Sequence, residues 1–210
     1  FEVNENTLIP RPETEELVEW IIESQKSKVK SQKFEILDIG TGTGCIPISL
    51  KANLPHVNVS AIDVSEKALE VARRNAVSNK VEINFIQTNI LEVEDLSQLQ
   101  TPNFQLPTSF DIIVSNPPYV RNLEKQEIKK NVLDYEPHLA LFVEDTDALL
   151  FYRKIAQLAL KNLSPKGLLF FEINQYLGKE TVELLENLGF KNIELKKDIY
   201  GNDRMVKSSR

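Results

Sequence analysis

Asn116-Pro117-Pro118-Tyr119 is the stretch whose residue types offer the most specific chemistry. The asparagine side chain presents a carbonyl oxygen as an acceptor. Pro117 offers a backbone carbonyl and has no competing N–H of its own. Tyr119 adds a flat apolar face. Two acceptors beside a ring suit a planar NH2 group, one acceptor for each hydrogen. The tetrapeptide follows Phe110–Ser115, a short apolar run that reads as a buried strand. Two prolines stop a β-ladder, because neither can donate a backbone hydrogen bond. The tetrapeptide therefore sits at the carboxyl end of a strand, where open parallel sheets bind ligands. The plain alternative is an Asx-Pro turn with a tyrosine packed behind it.

A second constellation lies upstream. Gly40, Gly42 and Gly44 follow the strand-like run Phe34–Ile39 at once, and Cys45 to Lys51 begins a helix with Pro47 in its first turn. Such a loop lets the backbone approach a ligand at a helix N-terminus. A dinucleotide fingerprint would place its third glycine at position 45, and here it comes one residue early. That spacing disfavours NAD and suits S-adenosylmethionine (SAM), which has no pyrophosphate to cradle. Asp63, at the next strand end, is placed to accept hydrogen bonds from both ribose hydroxyls. Its competing reading is a helix cap, since Asp63-Val-Ser-Glu66 is a capping pattern. Asp38, inside the first strand end, either contacts the methionine amine, orients the loop, or bonds loop amides. Asn89 follows the third strand, where an amide can meet adenine or serve a turn. Cys45 reads as a small packed residue, His56 as solvated and His138 as structural.

The elements that hold these residues alternate. Phe1 to Ile9 reads as extended, and Pro12 opens a helix with Glu13, Glu15 and Glu16 near its positive end. Leu17, Val18, Trp20, Ile21 and Ile22 give it an apolar face. Ser24 to Lys33 is a polar, lysine-rich connection. Strands are expected at Phe34–Ile39, Val57–Ile62, Val81–Ile86, Phe110–Ser115, Leu168–Ile173 and Phe190–Lys196, with a last hairpin in Ile199–Val206. Helices are expected at Ser65–Ser78, Thr146–Leu163 and Leu177–Leu188, the last closed by Gly189 as a left-handed cap. Asn89 to Leu106 reads as polar and irregular with one short helical turn, and Ser164-Pro-Lys-Gly167 as a turn. Arg121 to Val143 is a long excursion, suited to a lid or substrate loop. The alternation argues for an α/β fold, a doubly wound, mostly parallel sheet with an antiparallel C-terminal edge.

Composition sets bounds on function. The chain has 210 residues, enough for one sizeable α/β domain. No apolar run is long enough to span a bilayer. One cysteine and two distant histidines argue against an internal disulfide and against a zinc site. A net charge of −6 argues against gripping bare nucleic acid through its phosphates. Two local basic sets stand apart: Lys26, Lys28, Lys30 and Lys33, read as a solvated linker, and Lys125, Lys129 and Lys130, read first as an exposed face and second as a contact for an acidic partner. The only methionine is Met205, so the chain reads as a trimmed form or a domain fragment.

Together these residues resemble the HemK/PrmC family of SAM-dependent protein-glutamine methyltransferases, which modify the Gly-Gly-Gln motif of peptide chain release factors. The resemblance covers nearly the whole chain. Its most specific parts are Thr7-Leu-Ile-Pro-Arg-Pro-Glu-Thr14, Asp38 to Gly44, Asn116 to Tyr119, Tyr135-Glu-Pro137 with Ala140-Leu-Phe142, and Asp198 to Arg204. It implies a seven-stranded Rossmann-like sheet, with residues 1–33 as an extended segment and linking helix and 34–210 as the methyltransferase domain. The family's helical N-terminal substrate domain is expected to be absent. It implies cofactor contacts from Asp38, Gly40, Thr41, Gly42, Thr43, Gly44 and Asp63, from Asn89 and Ile90 at the adenine positions, and from Asn116. It implies a glutamine grip by Asn116, Pro117, Pro118 and Tyr119. The pattern departs from the family at Asn89-Ile90, where aspartate and an aromatic are usual, and at Val143-Glu-Asp-Thr-Asp147, which replaces a glycine-containing stretch. The implied product is S-adenosylhomocysteine, and the implied partner is a class 1 release factor. A cytoplasmic monomer with no membrane and no direct nucleic-acid contact is expected.

The chemistry expected is direct displacement at the SAM methyl group. Asn116 Oδ1 and the Pro117 carbonyl accept the two hydrogens of the amide, and Tyr119 packs on its plane. Glu13 and Glu172 are candidates for later proton loss, each with an equally good structural reading. Two rival functions use the same features: an adenine-amine methyltransferase of DNA or RNA, whose target presents the same NH2 geometry, and a non-catalytic SAM-binding adaptor for a glutamine-containing loop.

Overall fold

The structure, a computed structural model, describes residues 1–25, 34–101, 104–127 and 136–210. Its centre is β1 (Phe34–Ile39), a run of apolar residues alternating in which face they serve. Leu37 and Ile39 point into one core cluster and Ile36 into the other, so the strand is buried on both faces as a parallel interior strand must be. β2 (Val57–Asp63) and β3 (Asn84–Gln87) extend the sheet on one side. β4 (Phe110–Ser115) pairs parallel with β1 on the other side, followed by β5 (Leu163–Glu172), β7 (Asp203–Ser209) and β6 (Lys191–Lys197). The order is β6-β7-β5-β4-β1-β2-β3 in a seven-stranded sheet, with β7 antiparallel to both neighbours. The expected class and the antiparallel edge are therefore present.

Helices cover both faces. α1 (Pro12–Gln25) and α2 (Cys45–Asn53) bury Leu17, Ile21, Ile46 and Leu50 against one face. α3 (Glu66–Ser78) packs beside α2, starting at an N-cap in which the Ser65 side chain accepts from the Ala68 N–H at 3.2 Å. α4 (Leu150–Asn162) and α5 (Gly178–Leu188) cover the other face with Tyr152, Ile155 and Leu185. Leu17 and Ile21 are fully buried, and each contributes roughly 1.5–3 kcal/mol by leaving water. That docking brings Thr14, at the start of α1, to Asn116 and Glu172 at the carboxyl ends of β4 and β5.

The chain leaves β1 toward β2 and β3, then returns to place β4 on the opposite side. The carboxyl ends of β1 and β4 thus flank a topological switch point. Their register brings Ile39 opposite Ser115, and the Ser115 hydroxyl donates to the Ile39 carbonyl at 2.6 Å. The glycine loop and the tetrapeptide leave the sheet side by side.

Several local expectations change. The third strand covers only Asn84–Gln87. Asn89–Leu106 is not simply polar: two 3-10 turns, Ile90–Glu92 and Leu96–Gln98, deliver Ile90, Val93, Leu96 and Leu106 to the core. The expected turn at Ser164–Gly167 is taken into β5 as an irregularity, with Phe110 opposite Leu163 and Ile112 opposite Leu168. The helix expected from Thr146 begins at Leu150, after a 3-10 turn at Asp145–Asp147. In the first segment, Thr7 N–H bonds Asn4 O and makes a turn within the expected extended run. Gly189 closes α5 at φ 94° as foreseen. Most of the Ser24–Lys33 connection, with Lys26, Lys28, Lys30 and Lys33, lies outside the described residues, as do Lys129, Lys130, Tyr135 and part of the Arg121–Val143 excursion. No helix among the described residues is long and apolar enough to cross a membrane.

Candidate active site

The carboxyl ends of β1 to β5 and the start of α1 enclose a cavity of about 370 Å3. Gly40, Thr41, Gly42 and Thr43 line it from β1, Asp63 from β2, Asn89 and Ile90 from the segment after β3, and Asn116, Pro117, Pro118 and Tyr119 from β4. All but three of the site residues read from sequence converge there. Asp38 and Gly44 belong to the strand end and loop behind the lining, and Glu13, a candidate for proton loss, sits on α1 without lining the cavity.

Gly44 explains the loop's spacing. Its φ is 79°, and a Cβ there would come 3.1 Å from Ala72 Cβ and 3.0 Å from Ile48 Cδ1. A glycine one residue early lets α3 press against the loop as α2 starts. Asn75, buried on the same face of α3, donates to the Thr43 carbonyl at 2.9 Å. Gly40 and Thr41 N–H groups both donate to the Ile62 carbonyl, at 2.8 and 3.0 Å. The loop is thus held almost entirely through backbone.

Asp63 completes it. Oδ2 accepts from the Gly42 N–H at 2.8 Å and Oδ1 from the Ser65 N–H at 2.9 Å. Asp63 lines the cavity, and the cap of α3 is Ser65 rather than Asp63. Burial pushes the Asp63 carboxyl above its ordinary value, against those backbone donors. Asn89 instead works as a turn residue. Its Oδ1 accepts from the Leu91 N–H at 3.1 Å and its Nδ2 donates to Glu92 at 2.8 Å, while the residue lines the cavity.

Asp38 is fully buried, and neither carboxylate oxygen makes a hydrogen bond of normal length among the described residues, although the Thr41 hydroxyl lies close enough to favour the charged form. The reading in which it bonds loop amides is not what the structure shows. Burial pushes its carboxyl up to about 7, with the Thr41 hydroxyl pulling it back and Asp63 adding a smaller push. An orphaned acid beside a ligand loop is a standing demand for a cationic or donor partner. Cys45 lines the cavity too; burial chiefly pushes its thiol up to about 11, so it stays protonated and is no nucleophile.

The tetrapeptide is fastened by side chains from afar. Asn116 Nδ2 donates to Thr14 Oγ1 at 3.3 Å, and the Thr14 hydroxyl donates to Glu172 Oε2 at 2.6 Å. The Tyr119 hydroxyl donates to Glu172 Oε1 at 3.1 Å, and the Tyr119 carbonyl accepts from Asn174 Nδ2 at 2.9 Å. Asn174 also donates to Glu124 Oε2 at 2.8 Å. Glu172 is buried, and that burial raises its carboxyl above the usual range, offset by Thr14, Tyr119 and the charge of Arg204. Arg204 is itself paired with buried Asp198 at 3.3 Å and donates to the Ile173 carbonyl at 3.2 Å. Thr14, Glu124 and Asn174 are missing from the sequence reading. Only Thr14 carried a signal, as the end of the arginine-proline-glutamate segment. With both oxygens engaged by hydroxyls, Glu172 is an anchor rather than a free base. Arg11 pairs with Glu136 at 2.5 Å, joining that segment to the glutamate-proline segment of the excursion. His138 opens the one-turn helix His138–Leu141 and sets its ring edge against Phe142 at 5.3 Å.

Residues 21–138 match the family described as Methyltransferase small domain. A release factor glutamine methyltransferase of Flavobacterium psychrophilum is 68% identical over 207 residues, covering 99% of this chain and 69% of that protein. One from Bacteroides thetaiotaomicron is 44% identical over 210 residues, covering 100% of this chain and 70% of that protein. Among solved structures, a ribosomal protein L11 methylase from Lactobacillus delbrueckii subsp. bulgaricus superposes with a TM-score of 0.64 at 20% identity, covering 97% of this chain and 81% of that one. The last is a likeness of fold.

Proposed function

We infer the chemistry from one premise, that the chain belongs to the release factor glutamine methyltransferase family. It is a SAM-dependent enzyme that methylates a glutamine of a peptide chain release factor. We assign the target atom as the side-chain amide nitrogen of the Gly-Gly-Gln glutamine. The observation that carries this assignment is the convergence of the glycine loop, Asp63 and Asn116 to Tyr119 on one cavity.

The residues fit the cofactor. Asp38 supplies an orphaned buried carboxylate for the methionine amine, Gly40 to Thr43 give a backbone wall, and Asp63 gives a carboxylate at the ribose position. Gly44 shapes that wall from behind. Asn89 and Ile90 stand at the adenine end, Ile90 as an apolar face. When bound, SAM supplies a methyl group on a sulfonium whose departure leaves neutral S-adenosylhomocysteine.

This chain's own residues handle the other reactant. A glutamine nitrogen is a weak nucleophile because its lone pair is delocalised. Asn116 Oδ1 and the Pro117 carbonyl accept its two hydrogens and hold the nitrogen toward the methyl. Tyr119 packs on the amide plane, and Pro118 closes the wall. Alignment of two bound reactants accounts for roughly 7–11 kcal/mol of a barrier in favourable cases. The two acceptors strengthen as positive charge develops on the nitrogen. The N-P-P-Y grip alone also suits adenine; the family and the net charge of −6 favour a protein target. The proposal extends to a monomer acting in the cytoplasm on the release factor, with no direct nucleic-acid contact. Residues 1–33 act in it as the linking segment and 34–210 as the transfer domain, with Thr14 of the first reaching the cavity of the second.

The test is methyl transfer from labelled SAM to a folded release factor, with an adenine-containing RNA and DNA offered in parallel. Mass spectrometry should place the label on the glutamine of Gly-Gly-Gln. Label on adenine, or SAM binding without transfer, would overturn the assignment.

A further inference from the structure

An asparagine grips an NH2 group only if its amide faces the right way. Its two ends are nearly isosteric, one an acceptor and the other a donor. A flipped Asn116 would meet the substrate's hydrogens with hydrogens of its own. Something must set the orientation, and the tetrapeptide carries no group that does so.

Thr14 does. A hydroxyl has one hydrogen, and Thr14 directs it at Glu172 Oε2, 2.6 Å away. Its remaining capacity is as an acceptor, and Asn116 Nδ2 fills it at 3.3 Å. Oδ1 of Asn116 is left as the end without that engagement, on a residue that lines the cavity. Glu172 is itself fixed from its other oxygen by the Tyr119 hydroxyl at 3.1 Å, and Thr14 and Glu172 are both buried. Water therefore cannot easily replace either member.

We propose that Thr14, acting through Asn116, is a positioning residue for the transfer: anchored on Glu172 through its hydroxyl hydrogen, it sets the asparagine amide with its oxygen toward the substrate nitrogen. The proposal rests on the glutamine-methylation reading above. Thr14 touches neither substrate nor cofactor in it. Its effect belongs on kcat, because misaligning a bound reactant costs turnover while the SAM wall stays intact.

The experiment compares Thr14→Val, which keeps the shape and removes the hydroxyl, with Thr14→Ser, which keeps the hydroxyl. Labelled SAM and a folded Gly-Gly-Gln release factor report kcat, calorimetry reports SAM affinity, and both variants are repeated in an Asn116→Ala background. Thr14→Val should lose roughly tenfold to a hundredfold in kcat, with SAM affinity unchanged. Thr14→Ser should return to within about threefold of wild type, and Thr14→Val should cost nothing further once Asn116 is alanine. Should valine prevent folding, Thr14→Ala against Thr14→Ser gives the same contrast. A Thr14→Val enzyme within about twofold of wild type, an equal loss in both backgrounds, or a parallel loss of SAM affinity would overturn the positioning role. Wild-type enzyme that leaves glutamine unlabelled would instead overturn the reading beneath it, and the two failures are read from separate lanes.

Discussion

The carboxyl ends of β1 and β4 lie side by side, yet they are built by different means. The β1 end is a backbone construction. Positive φ angles at Gly40, Gly42 and Gly44, paired donors to Ile62 O and a bond from Gly42 N–H to Asp63, a separation of 21, shape it from nearby sequence. The β4 end is a side-chain construction. Asn116 and Tyr119 are held by Thr14, Glu172 and Asn174, which come from α1, β5 and the residues after it, with sequence separations of 102, 53 and 55. The first shape suits a rigid, invariant cofactor. The second is coupled to how α1 docks, so the substrate grip depends on the fold around it.

That contrast predicts separable losses. Asn116→Ala should do the most damage. It removes one of the two acceptors, and loss of one charge-stabilising group in a preorganised site costs about 10²–10³ in kcat. SAM affinity by calorimetry should hold within a few-fold. A variant with wild-type turnover would remove Asn116 from the mechanism. Asp63→Ala should strike the other side. It deletes a carboxylate that holds the Gly42 N–H and that the proposed function places at the ribose, and hydrogen bonds to charged groups are worth about 1.5–3 kcal/mol. SAM binding should weaken roughly tenfold to a hundredfold, while kcat at saturating SAM falls far less. Equal effects of both variants on both parameters would dissolve the comparison.

The two ends were also unequally legible. Gly40, Gly42, Gly44, Asp63 and the N-P-P-Y tetrapeptide could be read directly, because local rules dictate them: a glycine where φ is positive, an acid at the next strand end, a proline pair where a ladder must stop. The mostly parallel sheet and its antiparallel edge followed from the same alternation, whereas the strand order came only from the structure. Asn174 and Glu124 could not be read, because nothing near either residue says that they meet across 50 positions. Asn89 was ambiguous for a physical reason, since one amide serves a turn or a ligand equally well: its Oδ1 accepts from the Leu91 N–H while the residue also lines the cavity. Segment Asn89–Leu106 misled because its leucines are spaced by 3-10 turns rather than by a helix or strand period. The partnerless state of Asp38 was hidden as well, since a strand-end acid and an orphaned one look alike in sequence.

Asp38 offers a subtler break. Its folded carboxyl is raised to about 7, well above the unfolded range, so the unliganded protein binds the extra proton between roughly pH 4 and 7. Stability from this group is therefore fully present below the unfolded value and is lost as pH rises through about 7. A cationic amine pairs with the ionised form, so SAM affinity should move the opposite way. The ionised fraction grows from about one tenth at pH 6 to about three quarters at pH 7.5, which predicts roughly eightfold tighter binding. Calorimetry at the two pH values measures it, and Asp38→Asn should flatten both the affinity and its share of the stability slope. A flat wild-type profile would detach Asp38 from the cofactor.

Tyr119→Phe should have the smallest effect and sharpens the β4 end most. The substitution keeps the ring proposed to pack on the amide and removes only the hydroxyl that donates to Glu172 Oε1. Glu172 is buried and loses one of its two hydroxyl donors, so a cost of about 1–2 kcal/mol is expected, a fall in Tm of roughly 2–6 °C. Thr14 still holds the other carboxylate oxygen, so the Asn116 amide keeps its direction and kcat should stay within about threefold. Tyr119→Leu removes the flat face as well and should cost more in kcat than in Tm. If phenylalanine instead lost as much turnover as Asn116→Ala, the hydroxyl would be the working part of Tyr119, and Glu172 would govern the grip through both of its oxygens rather than through Thr14 alone.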